Sequence, residues 1–144
     1  MASVWSNKGI LDALTNGTSG KTFYLLLVNA TGSGLSDATK KDINFVSEIS
    51  TNELSGTGYV RKTLANVVVT EDDTNDRAVL DADDPSTYTG INAGTIGGGW
   101  VCRDIGTDSQ DIPWLFLDIV DIVTNGGDVS LAFNTSGISR AASA

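Results

Sequence analysis

Ile112-Pro113-Trp114-Leu115-Phe116-Leu117-Asp118-Ile119-Val120-Asp121-Ile122-Val123, followed by Thr124-Asn125-Gly126-Gly127 and Asp128-Val129-Ser130-Leu131-Ala132-Phe133, is the stretch whose reading decides the fold class. The first segment is apolar and rich in aromatic and β-branched residues, which suit a pleated, buried strand. Asn125-Gly126 is a pair that tolerates positive φ and so reads as a hairpin turn. In the last segment Val129, Leu131 and Phe133 alternate with smaller or polar residues, the period-2 pattern of a half-buried antiparallel strand. These residues predict a β-hairpin near the C-terminus.

Working outward from it, the chain repeats the theme of short apolar runs separated by turns. Gly94 to Ile105 reads as a Gly-rich strand, with Trp100 and Cys102 on one face and Val101 and Arg103 on the other. Arg77 to Asp81, Asn66 to Thr70 and Tyr59 to Leu64 are strand-like, and Glu71 to Asp76 and Ala82 to Ser86 read as turns between them. Thr22 to Val28 (TFYLLLV) is apolar throughout, as a strand buried on both faces would be. Asn29 to Asp42 is polar and reads as a surface loop, while Ile43 to Ile49 fits either a helical turn or a short strand. Near the N-terminus Ile10, Leu11 and Leu14 recur at helical spacing, with Ser6 or Asn7 to start the helix and Asn16-Gly17 to stop it. The expectation is a mainly all-β fold, an antiparallel β-sandwich or jelly roll of seven or eight strands. It forms one domain over 1–144, with a short N-terminal helix over about 6–15 and a loose tail over about 140–144.

Composition narrows the function. The 144 residues carry 18 Asp and Glu against 9 Lys and Arg, a net charge of −9, so phosphate backbones and polyanionic membranes are poor partners. The chain holds no histidine and one cysteine. Triads built on histidine, disulfide frameworks and structural zinc sites are therefore excluded. Cys102 lies among apolar neighbours and is expected to be a buried thiol. No secretory leader and no membrane-length apolar run is read in the sequence.

Three motifs invite chemistry and fall short of it. Gly17-Thr18-Ser19-Gly20-Lys21-Thr22 ends like a phosphate-binding loop but has Thr15 where the first Gly belongs, and a helix precedes it where a strand should. The glycines at Gly94 to Gly99 are better explained by close packing of a strand. Asp72, Asp73 and Asp76, or Asp81, Asp83 and Asp84, could offer oxygen ligands to calcium, but without the EF-hand spacing, and solvated turns explain them more simply. A hydrolase would need two opposed carboxylates across a cleft. No catalytic residue, metal site or cofactor is expected. Trp100 and Trp114 lie in strands and read as core. Trp5, before the helix, is the candidate for docking on another protein, together with the helix residues Ile10, Leu11 and Leu14.

Asn7-Lys8-Gly9-Ile10-Leu11-Asp12 leads into Thr22 to Val28. Asn52 to Arg61 (NELSGTGYVR), Val67 to Asp76 (VVVTEDDTND) and Thr124-Asn125-Gly126-Gly127-Asp128 follow in order. Together these segments resemble the capsid cement, or head decoration, proteins of tailed phages, small structural proteins with a jelly-roll-like fold. The resemblance implies a virion protein made in the host bacterial cytoplasm that performs no chemistry. Its subunits would associate as a homo-oligomer, dimer or trimer, and bind across neighbouring major capsid proteins on the outer capsid surface. Neither nucleic acid nor membrane is expected as a partner. The competing expectation is a tail-associated fibre or receptor-binding module for host carbohydrate.

Overall fold

Two long apolar runs, Thr95–Asp104 and Ile112–Val123, pair with each other and anchor everything else. A computed structural model describes residues 3–142 and places eight strands there. They are β1 (Ser3–Trp5), β2 (Thr22–Val28), β3 (Lys62–Leu64), β4 (Val68–Asp72), β5 (Arg77–Asp81), β6 (Thr95–Asp104), β7 (Ile112–Val123) and β8 (Ser139–Ala142). A five-stranded antiparallel sheet runs in the order β1-β7-β6-β2-β3, and a three-stranded one in the order β4-β5-β8. The chain is thus mainly β, with two antiparallel sheets in a sandwich-like arrangement. The strand order of a jelly roll is not seen among the described residues. Three helices complete the fold: α1 (Asn7–Asn16), α2 (Ala30–Ser33) and α3 (Asp37–Asp42). None is long and apolar enough to cross a membrane.

The large sheet is a central layer, buried on both faces. Register places Leu25, Val101 and Leu115 side by side on one face, with Leu27 and Leu117 next to them. These pack with Leu80 of β5 and with Tyr88, Ile91, Phe133 and Ile138 from the connecting segments. On the opposite face Tyr24, Leu26, Trp100, Cys102 and Phe116 pack against Ile43, Val46 and Ile49. Double burial is why TFYLLLV shows no alternation, and six of its seven residues are buried. Cys102 is fully buried, and desolvation pushes its thiol well above the ordinary range.

A register shift between Val101 and Cys102 leaves Trp114 as an extra residue in β7. Its ring therefore joins Phe23, edge-on at 4.6 Å, in the core towards the small sheet. The glycines of β6 make room for neighbours. A side chain at Gly97 would meet Ala30 of α2 at 2.9 Å, and one at Gly98 would run into the Phe116 ring.

Several expectations are corrected. Residues 128–133 form no strand beside β7, whose neighbours are β6 along most of its length and β1 at Leu115–Leu117. Of Asn125-Gly126 only Gly126 has positive φ, 91°, whereas the type I′ turn of an Asn-Gly hairpin needs it at both. Val129 makes a single bridge to Tyr88 instead. The alternation still reports burial: Phe133 is buried, Val129 and Leu131 half-buried, Ser130 and Ala132 exposed. The polar stretch Asn29 to Asp42 is not a loop but α2 and α3. Asn29 and Ser36 cap them by accepting from the backbone N–H groups of Gly32 and Thr39. The undecided segment at Ile43 holds a 3-10 turn over Val46–Glu48. The strand read from Tyr59 begins only at Lys62. Arg140, Ala141 and Ala142 pair with β5 as part of β8, so the tail expected to be loose is tied down there. Its last two residues lie outside the described ones.

Replacing Gly98 by Ala will force its new Cβ against Phe116 and should destabilise the fold by about 1–3 kcal/mol, read as a lower urea midpoint. A midpoint equal to that of the parent chain would refute the tight packing assigned to β6.

Candidate functional site

Helix α1 is inside out. Ser6 caps it, its Oγ accepting from Gly9 N at 2.8 Å while its own hydroxyl donates to the Pro113 carbonyl. Ser6 N donates to the Trp114 carbonyl at 2.9 Å, so the bulge in β7 supplies the anchor. The helix buries Gly9 and Asp12. Gly9 lies so close to β7 that a Cβ there would sit 2.5 Å from Trp114 Cα. One turn on, the Asp12 carboxylate accepts from Trp114 Nε1 at 2.9 Å, from Asn16 Nδ2 at 2.6 Å and from the Arg103 guanidinium. Burial alone would raise the Asp12 pKa, but these hydrogen bonds and the Arg103 charge outweigh it and hold the carboxyl below its usual range.

With the polar face turned inward, the apolar side chains face water. Ile10 is 43% exposed, Leu11 60% and Leu14 84%. Ile10 and Leu14, with Ala13 between them, line one wall of an apolar groove of about 370 Å³. The small sheet supplies the other wall through Val69, Ala78, Leu80 and Ala141, and Trp5 and Trp114 line the groove as well. Trp5 is no free anchor. Its ring packs 5.8 Å from that of Trp114, tilted by 34°, and its Nε1 donates to Ser139 Oγ of β8 at 2.8 Å. Three of the four residues proposed for docking, Trp5, Ile10 and Leu14, thus meet in one groove. Leu11 is exposed outside it.

Sequence reasoning missed the sheet wall. Val67-Val68-Val69-Thr70 reads as strand whether buried or not, and only topology reveals that β4 is an edge with Val68 and Val69 44% and 53% exposed. Trp114 is core, as its strand position implies, and it also lines the groove.

A second polar cluster ties the far edge together. Arg61 bonds the Glu53 carboxylate at 2.8 and 2.6 Å and the Asp108 carboxylate at 2.6 and 2.9 Å. Two acids on one guanidinium raise the Arg61 pKa, and the Arg61 hydrogen bond lowers that of Asp108. Tyr24 donates to Asp111 at 2.8 Å, and Asp111 also accepts from the backbone N–H groups of Ile105 and Gly106. Both arrangements pin loops to the sheet. Among the acidic turns, Asp72 accepts from Asn75 and Arg77, Asp83 from Asn66 and Asp84 from Phe133 N. Among the described residues no three acidic or cysteine side chains converge as a metal's ligands would.

Comparison with protein-family models, with curated proteins and with solved structures finds no match to the chain.

Asp12→Asn keeps the side chain's size but leaves the mostly buried Arg103 without its counter-charge, and should cost about 3 kcal/mol. Because the folded pKa of Asp12 is depressed, its contribution is present above the unfolded value of 3.8 and fades as pH falls through the folded value. Urea titrations at neutral pH and below pH 3.8 should show the parent and the variant converging. A gap that stays constant with pH would dismiss the charge of Asp12 as the cause.

Proposed function

We propose that the chain is a structural docking protein that catalyses nothing: a capsid decoration subunit binding neighbouring major capsid proteins on the outside of a tailed-phage head. The observation that carries this reading is α1, which shows Ile10, Leu11 and Leu14 to water beside an apolar groove. Burying one Leu or Ile side chain stabilises by about 1.5–3 kcal/mol, so a helix that exposes three forfeits an amount a partner can recover. Contiguous exposed apolar surface of this kind is characteristic of protein contact sites. The order of segments that resembles phage cement proteins supports the major capsid protein as the partner. Repetition of the groove in a homo-oligomer would join several modest contacts into a firm grip. The sheet buried on both faces supplies a stiff platform.

Purified virions decide between the head and the tail. Decoration predicts a copy number comparable to that of the major capsid protein, and loss of heat resistance in particles lacking the chain. Few copies, with failure of adsorption, would instead establish the tail-associated receptor-binding reading. The Leu14→Glu change should leave the thermal midpoint of the free protein unchanged within about 0.5 kcal/mol, since Leu14 is 84% exposed. It should weaken incorporation into particles about tenfold or more. Full incorporation of this variant would remove the groove from the mechanism.

A further inference from the structure

We propose that β4 accepts an extended segment of the partner protein as an added strand, with alternate apolar side chains continuing the groove wall at Val69 and a Lys or Arg of that segment over Glu71 and Asp73. The proposal deepens the docking reading given above and rests on it.

β4 is one of the two edge strands of the small sheet, paired with β5 on one side and, among the described residues, with no strand on the other. Val68, Val69, Thr70 and Glu71 are all exposed. An edge of this kind offers a row of unpaired N–H and C=O groups, and β-branched residues hold it extended. Strand addition to such an edge is a general mode of peptide recognition, with affinity from main-chain bonds and specificity from alternate side chains. Edge and groove are one surface here, because Val69 belongs to both. A strand about 4.8 Å beyond β4 would widen the wall that faces Ile10 and Leu14.

Charge selects the occupant. Glu71 and Asp73 are exposed and form none of the ion pairs among the described residues, whereas Asp72 beside them is held by Arg77. A second copy of this chain fits badly. Antiparallel self-pairing about Thr70 would set Glu71 opposite Val69 and Asp72 opposite Val68, and would join two bodies each of net charge −9. A segment that is apolar at one end and basic at the other meets Val68-Val69 and Glu71 through Asp73 in turn.

The test uses the full chain and a synthetic peptide alternating Val and Thr and ending in two lysines. Fluorescence anisotropy should report saturable binding that weakens with salt, and hydrogen exchange should slow over residues 68–72. Val69→Lys and Glu71→Lys should each reduce affinity about tenfold while leaving the thermal midpoint of the chain in place, both side chains being exposed. The same peptide N-methylated on alternate residues should not bind. Equal binding of the methylated peptide, protection confined to other strands, or a free protein that sediments as a dimer until Val69→Lys separates it would each overturn the proposal. The assay needs no virion. Its failure alongside normal incorporation into particles rejects strand addition only, and absence from particles rejects decoration whatever the peptide does.

Discussion

The carboxylate of Asp12, received by Arg103 and by the indole of Trp114, is the interaction on which the rest of the molecule's surface depends. A surface helix normally turns its apolar stripe to the core and its polar face to water. Here a buried ion pair and a glycine at the point of closest approach reverse that choice. Gly9 lets the helix backbone come against β7, and Asp12 gives up its hydration for three protein donors. Replacing such a pair with apolar residues is often neutral or stabilising, so its presence argues for orientation more than for stability. What it orients is α1, with Ile10 and Leu14 outward.

That orientation has consequences for the whole sandwich. Native stability is a margin of only about 5–15 kcal/mol, and leaving three aliphatic side chains in water gives up a sizeable part of what could be added to it. The fold compensates in the central sheet. Both of its faces are buried, Trp100 and Phe116 pack edge to face at 5.4 Å, and even Lys40 is drawn in, its Nζ 4.0 Å from the Phe116 ring centroid and bonded to the Ser33 carbonyl. Stability resides in the middle layer, and the apolar residues of α1 are released from the task of supporting it.

How much of this was legible in the sequence depends on whether a residue's role is local. TFYLLLV had to be a doubly buried strand, because Phe23 to Val28 leave no polar face, and β2 has those bounds with only Thr22 exposed. The alternation in β6 placed Trp100 with Cys102 and Val101 opposite them, as the two cores have it. The caps at Asn29 and Ser36 were present to be read but lay in a stretch too polar to suggest helices. The C-terminal hairpin is absent because Val129 bonds Tyr88, from a distant segment, and not β7, a partner that no local pattern reveals. The site was half legible. Helical spacing found Ile10, Leu11 and Leu14 as one apolar stripe, and the terminal position drew attention to Trp5. Spacing alone would have sent that stripe to the core. The signal against this was Gly9 and Asp12 on the helix's other side, which had meaning only once Arg103 and Trp114 stood opposite them.

Trp5 joins these threads. Its strand belongs to the large sheet, its Nε1–H reaches Ser139 in the small sheet, and its ring rests on Trp114, to which α1 is also fixed. One side chain thereby links the two walls of the groove, beside the core packing of Leu80 and Ile138 on the large sheet. A cleft between layers that could slide would have to be ordered on binding, and that ordering would subtract from affinity. Here the wall residues are held before any partner arrives: α1 by Asp12, the small sheet by its bond to Trp5. The edge of β4 is a flank left open among the described residues, and it is the flank from which an extended chain could enter.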